Sequence, residues 1–585
     1  MAPRVKQRRR SELGLLLVAV VVITLAYLLA ALGTRNSLPA NALDFIGVVA
    51  ALALVVHLAN RFLAPEADPV MMPVVLMLNG IGFVMIYRLD ASPQIAADAP
   101  WHYQAAWTAL GVAAYVVTLF VVRRSRDLER YRYMLVFGAL VLLVLPLAPY
   151  LGRTSEAQLN GVKLWIHVGP ITFQPVEIAK LMLVIFFASY FVEKREMLSL
   201  STRRVGNRLL PDLRPLGPIA VAWVVAILVI LLEHDIGFSL LLFVTFITML
   251  WVVTGRWTYV VGGLVAFVAG TYLAAHLPFA KTLIDERVSA WINPWVHYSS
   301  YGYQTVQGEL ALGRGGLTGS GLGLGTPYYI PVAYSDFIFA AIGEELGLLG
   351  TTAVVVGFML VVGAGIRAAM RARSEFSQLA AVGFTAILGF QSFFIMAGVV
   401  RLLPLTGVSL PFIGYGGSSL VANYVLVALL MRISDEGATP PGVAIGLSHP
   451  ATRMRRRFLV AARAAPAPVD APAPVGGVRS SPVPVGEVRS SPAPAGGVRS
   501  STVPAGGVRS SAAPEGGVRS SAAPEGGVHN SPAPAGGAGG ITVAPTGAST
   551  TDGTGQTGRS SDRPSASTNE PTADAGGFSE GGIPC

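Results

Sequence analysis

Four polar stretches in an otherwise apolar chain hold most of the residues able to do chemistry. The longest, Asp285 to Gly350, combines Asp285, Glu286, Arg287, His297, Glu309, Asp336, Glu344 and Glu345 with the rings of Trp291, Trp295, Tyr298, Tyr301 and Tyr303. Such rings can stack on sugars or lie at a membrane surface. Gly313 to Gly325 is glycine-rich and lets backbone approach a ligand closely. It has no GK[ST] ending, so a nucleotide phosphate loop does not fit. Asp336 either caps the helix that follows or faces a site. Glu344 and Glu345, two turns further on, are costly in a bilayer unless paired.

The second stretch is Asn160 to Lys180. Trp165 suits a membrane interface and Pro175 a helix start. Glu177 and Lys180 then share one helix face, as an ion pair or as the lining of a polar cavity. The third is the turn Glu233–His234–Asp235–Ile236–Gly237. Its acids are either functional groups at the interface or a solvated turn. They do not suit a metal, because adjacent side chains rarely converge on one ion. The fourth, Arg401 to Asn423, is interrupted by Pro404, Gly407, Pro411, Gly414, Gly416 and Gly417. It reads as a re-entrant or broken segment, tolerated where protein buries it.

The elements that must position these groups are membrane helices. The chain has 585 residues, 52% hydrophobic and 13% charged, with mean hydropathy +0.56; soluble domains carry about 25% charged residues. About twelve spans are expected, several short of the ~20 residues a crossing needs. They run near 13–32, 42–59, 70–87, 105–122, 134–147, 178–191, 216–232, 236–253, 259–277, 337–366, 379–400 and 419–431. The fold class is therefore all-α, a polytopic membrane helix bundle. Basic clusters recur at Arg4–Arg10, Arg123–Arg132, Lys194–Arg214, Arg367–Arg373 and Arg432–Arg457, while the alternate loops hold isolated cations. Positive-inside asymmetry then puts both termini in the cytoplasm and the loop 278–335 outside. The net charge of +10 belongs to this pattern and does not call for nucleic acid. The single cysteine, Cys585, excludes a disulfide framework, and its terminal place excludes a prenylation box. No cleavable signal peptide is expected, since the first apolar run is too long for one.

Three regions follow: a basic N-terminus with two helices (1–69), a membrane core (70–435) and a cytoplasmic tail (436–585). The tail repeats a ten-residue unit, VRSSPVPVGE, VRSSPAPAGG, VRSSTVPAGG and two copies of VRSSAAPEGG. It has no apolar face to stack and is expected to be disordered.

Together the four stretches resemble the SEDS family of bacterial cell-wall proteins, the group of FtsW, RodA and SpoVE. The resemblance is carried by NGVKLWIHVGPITFQPVEIAK (160–180), DIG (235–237), NPW…GYQTVQ (293–307), GLGLG (321–325), DFIFAAIGEELGLLG (336–350) and PLTGVSLPFIGYGGSSL (404–420). It implies a core of ten helices, here with two more at the N-terminus. It implies an activity, polymerising lipid II into glycan strands at the outer membrane face, in elongation or division. A class B penicillin-binding protein is the implied partner. A lipid-linked precursor transporter and a non-catalytic scaffold for such a protein are the alternatives. Many members have an Asp in the outer loop as the presumed base; here His297 stands at that position. A neutral imidazole, with pKa about 6.5, can accept a proton. Asp285 and Glu309 are the alternative carboxylates. Arg88, Lys180 and Arg287 are the cations expected near phosphate. Trp165, Gln304 and the acids Glu177, Asp235, Asp336 and Glu344 are expected to shape the substrate cavity. No cofactor is evident, although a divalent cation could bridge diphosphate to the acids.

Overall fold

The computed structural model describes residues 3–90, 101–147, 166–168, 171–200, 202–205, 208–211, 217–232, 235–274, 276 and 278–439. Trp165, Glu233, His234 and the repeat tail lie outside the described residues. The helices run α1 Pro3–Arg35, α2 Ala42–Leu63, α3 Met71–Asp90, α4 Trp101–Val121 and α5 Arg132–Val144. They continue as α6 Val176–Glu193, α7 Arg195–Leu200, α8 Gly217–Leu232, α9 Ile236–Thr254 and α10 Trp257–Ala274. The last five are α11 Pro278–Ile292, α12 Tyr303–Gly315, α13 Ile338–Arg371, α14 Glu375–Val399 and α15 Gly417–Ala438. Two antiparallel ribbons interrupt them, β1 Ile166–Val168 with β2 Ile171–Phe173, and β3 Thr202–Val205 with β4 Arg208–Pro211.

Among the described residues nine helices are long and apolar enough to cross a membrane. Helices α6, α8 and α10 lie at the three other expected spans but fall short of that measure; α8 and α10 are short, and α6 carries Glu177, Lys180 and Glu193. The protein is a polytopic membrane helix bundle. Helix α15 sits at its centre, with 83% of its apolar window buried against 17% for the segment containing α5. Close packing there depends on small residues: Gly111 on α4 lies against the Tyr424 ring and Gly82 on α3 against the Ile413 backbone, where a Cβ has no room.

The two N-terminal helices are part of the bundle. Glu12 on α1 pairs with Arg9 and accepts a 2.6 Å hydrogen bond from Asn60 on α2, whose Oδ1 accepts one from Tyr115 on α4 at 2.5 Å. All four side chains are buried, so the network ties three helices together in a low-dielectric setting. The same end of the bundle is tied by Arg367–Asp68 (3.1 Å) and by Ser125, which donates from N and Oγ to Glu436.

The 285–350 stretch is more helical than its composition suggests. Helices α11 and α12 occupy much of it, and irregular backbone is concentrated between Gly316 and Phe337. Helix α13 is kinked at Gly347, where φ is +66° and ψ is −163°. The segment 400–416 is irregular and buried at Val408 and from Leu410 to Ile413, as a broken segment within protein requires.

Candidate active site

One face of α11 turns Glu286, Arg287, Ala290 and Trp291 toward a cleft of about 200 Å³. Those positions recur at one-turn spacing, which is why they share a side of the helix. Tyr301, Gln304 and Thr305 at the start of α12 form a second wall, and Asp336 a third. Gly398, Arg401, Leu403, Leu405 and Gly407 close it from the α14 side. Asp336 is held by the turn before α13, where Ser335 N bonds Val332 O (3.1 Å) and Tyr415 N bonds Tyr334 O (2.8 Å). It caps nothing: the N-cap position is Phe337, with no side-chain cap bond. Arg401 has φ +59°, an uncommon conformation for a residue with a Cβ. Its carbonyl accepts from Trp291 Nε1 at 3.1 Å, which joins α11 to the end of α14.

The electrostatics of the cleft centre on Arg287. Its Nη1 donates to Leu405 O at 2.6 Å, and it acts on Asp235, Asp336 and Glu286 through space. Burial pushes the Asp336 carboxyl up to about 6, with the Arg287 charge opposing part of the rise. Burial does the same to Asp235, also about 6, against its bond from Phe238 N and the Arg287 charge. Burial lowers Arg287 itself, and the three acids offset that. An acid poised near neutrality beside a half-buried cation suits proton transfer next to developing negative charge.

A polar clamp adjoins the cleft. Asp235 caps α9, accepting from Phe238 N at 3.0 Å. Glu177 and Lys180 form an ion pair at 2.5 Å on α6, and Lys180 Nζ donates to Gln391 on α14 at 2.9 Å. Gln391 Nε2 in turn donates to Ser409 O at 3.2 Å. Lys180 also lies over the Phe238 ring, 5.4 Å from its centroid. These contacts lock α6, α9, α14 and the broken segment together.

A second network seats the glycine-rich loop. Arg88 at the end of α3 pairs with Glu345 on α13 at 2.8 Å and donates to Gly325 O at 2.7 Å. Glu345 Oε2 accepts from Gly323 N at 2.9 Å, and Glu344 Oε1 accepts from Thr326 N and Oγ1, both at 2.9 Å. Arg314 lies 3.6 Å from Glu344. The kink at Gly347 lets the loop dock edge-on, with Leu348 N bonding Gly316 O (3.0 Å) and Leu349 N bonding Leu317 O (3.2 Å).

With this geometry established, residues 69–438 match the family model described as cell cycle protein, FtsW/RodA/SpoVE. The chain belongs to the FtsW/RodA/SpoVE family. It is 38% identical over 444 residues to the peptidoglycan glycosyltransferase RodA of Mycobacterium tuberculosis, covering 75% of this chain and 93% of that one. It is 37% identical over 446 residues to RodA of Mycobacterium leprae, with the same two coverages. It is 32% identical over 377 residues to the probable peptidoglycan glycosyltransferase FtsW of Geobacter sulfurreducens, covering 63% of this chain and 95% of that one.

In this FtsW/RodA/SpoVE member the expected site residues divide into groups. Arg287, Gln304 and Asp336 meet in the cleft. Glu177, Lys180 and Asp235 form the clamp beside it. Arg88 and Glu344 hold the glycine-rich loop instead of lining the cleft. Glu309 pairs with Arg401 at 2.8 Å, at the cleft edge. Asp285 is exposed and outside the cleft lining. His297 ends a short 3-10 turn and stacks on Tyr301, centroids 4.5 Å apart; it touches a wall of the cleft without lining it. Gln391, Arg314 and the cleft role of Arg401 are additions from the structure. Gln391 alone had a signal, as an amide in the middle of the apolar run 379–400.

Proposed function

We propose that this protein is a glycosyltransferase that polymerises lipid II at the outer face of the bacterial cytoplasmic membrane. The observation that carries the reading is that Asp336, with its raised pKa, and the half-buried Arg287 share one solvent-open cleft. The names of the relatives, peptidoglycan glycosyltransferases, support it. The basic loops lie at the opposite end of the bundle from the cleft, so positive-inside asymmetry supports an outward-facing site and a cytoplasmic N-terminus.

In this mechanism a hydroxyl of the acceptor sugar attacks the anomeric carbon of the donor. Asp336 takes the hydroxyl proton as the new glycosidic bond forms. The bond from that carbon to the diphosphate oxygen breaks, and Arg287 neutralises the departing lipid diphosphate. Gln304 and the rings of Trp291 and Tyr301 hold the sugars. His297, through its stack on Tyr301, positions that wall; the base assignment moves from the loop to Asp336 because Asp336 is inside the cleft. Among the described residues no three His, Cys, Asp or Glu converge on a metal position. A class B penicillin-binding protein is the proposed partner, crosslinking the strands as they emerge.

The test is purified full-length chain with labelled lipid II in proteoliposomes. Glycan ladders from the wild type, lost in Asp336→Asn and retained in His297→Ala, are expected. Lipid II translocation without ladders would make the protein a transporter, and neither activity would leave a scaffold.

A further inference from the structure

A second cavity, of about 170 Å³, lies away from the cleft, enclosed by α1, α2, α3 and α4. Its walls are apolar and aromatic: Ile23 and Tyr27 on α1, Phe45 and Leu52 on α2, Phe83 on α3 and Ala105 on α4. Two of the four walls come from helices that precede the family segment 69–438. Asn79 and Thr108 also reach it; the Asn79 Nδ2 donates to Thr108 Oγ1 (3.3 Å) and Tyr424 OH (2.8 Å), while its Oδ1 has no hydrogen-bond partner and is the one polar atom of Asn79 left to the cavity side. Val48, which is exposed, marks a lateral opening between helices that face the bilayer.

The lining runs from Asn41 to Leu52 along α2, about 16 Å at the helical rise. That is half of a hydrocarbon core roughly 30 Å thick, the depth reached by one chain from one leaflet. At the mouth Asp44 is exposed and lines the cavity. Arg35 sits over the Tyr87 ring, 5.9 Å from its centroid, and Tyr87 packs on Tyr27 at 4.8 Å. Near the mouth Arg35 supplies a cation that acts on Tyr27, and the acids beside it are Asp44, which lines the cavity, and Asp90, which bonds to Trp101 of the wall and faces Arg35 and His102.

We propose that this cavity binds one acyl chain of a zwitterionic phospholipid from the leaflet on the cleft side, its phosphate toward Arg35 and its ammonium toward Asp44. The occupant is a structural or regulatory lipid, distinct from the substrate. Its position gives it a route to the working end. Tyr27 and Phe83 pack in one cluster with Ala30 and Leu322 of the glycine-rich loop. Gly33 on α1 meets the Leu322 backbone where a Cβ has no room. Filling the cavity therefore supports the wall on which that loop rests.

The experiment uses the full chain in phosphatidylglycerol vesicles carrying a trace of phosphatidylethanolamine with a diazirine on one acyl chain. After photolysis, label is expected on peptides covering 45–52 and 76–83, above the level on the exposed α10 positions Val261 and Leu264. Excess unlabelled phosphatidylethanolamine displaces it. Val49→Trp and, independently, Ala105→Phe fill the slot, and label there falls about tenfold, equivalent to roughly 1.4 kcal/mol of lost binding, with α10 labelling unchanged. Label spread evenly over lipid-facing helices overturns the proposal. So does equal labelling in both filled variants. Displacement by a polyprenyl phosphate but not by phosphatidylethanolamine would make the cavity a seat for an isoprenoid tail and also overturn it.

Discussion

Replacing Arg88 with Gln tests how the glycine-rich loop is held. The substitution leaves the Glu345 carboxylate, fully buried, with its bond from Gly323 N but without its cation. Removing one partner of a buried pair costs about 3–5 kcal/mol. The Glu345→Gln variant takes the carboxylate from Arg88, 4% exposed, which keeps its bond to Gly325 O, and costs up to a similar amount. If the loss is local, the open loop becomes about 10²–10⁴ times more populated at 1.36 kcal/mol per decade. Trypsin provides the assay, because Arg314 is 43% exposed and begins the segment that would lift away. Cleavage after Arg314 in nanodiscs, followed by mass spectrometry, should accelerate in either single variant. The Arg88→Gln, Glu345→Gln double variant should be restored well toward wild type, because it leaves no uncompensated charge. Single variants within about 0.5 kcal/mol of wild type, or a double variant equal to the sum of the singles, would refute the reasoning.

Three further outcomes follow from the cleft and the kink. The ionised form of Asp336 is the base, so wild-type polymerisation should rise as pH increases through about 6 and then level off. Asp336→Asn should lose about 10²–10⁴ in rate together with that limb, whereas His297→Ala should keep the limb; loss of the limb in His297→Ala would return the base role to the imidazole. Asp235 has a folded pKa of about 6 against 3.8, so its contribution to stability is full below 3.8 and declines as pH rises through 6. Asn at 235 keeps the cap and should remove that decline, worth on the order of 3 kcal/mol, in unfolding measured at pH 4 and pH 8. Gly347→Ala forces a Cβ into φ +66°, 2.6 Å from Leu317 O, and should cost at least about 1–3 kcal/mol, read as a lowered thermal midpoint.

The bundle was largely legible because apolar runs and charge asymmetry report directly on membrane crossing. The span near 70–87 became α3 at 71–90, and the last one, near 419–431, became α15 at 417–438, longer because Arg432, Asp435 and Glu436 find buried partners and extend the helix. Helices α11 and α12 were hidden by the polarity of the long loop, which masks helix formers among charges and rings. Arg287, Gln304 and Asp336, which meet in the cleft, all lie in the one stretch, Asp285 to Gly350, read as the working surface. The separation of Arg88 and Glu344 from the cleft did not follow, since a cation near an acid reads the same whether it seats a loop or binds a diphosphate. Gln391 and Arg401 act through partners more than 100 positions away in other stretches, Lys180 and Trp291, and local pattern carries no trace of such pairings.

The Arg88–Glu345 contact joins residues 257 positions apart. At roughly 5–20 residues per second, the ribosome needs on the order of tens of seconds to make the second after the first. During that interval α3 enters the membrane bearing a guanidinium whose final carboxylate has not been synthesised. A long side chain at a helix end can reach the aqueous boundary meanwhile. Arg88 stands near the end of α3, where that temporary refuge is within reach, and the late arrival of α13 then draws it inward.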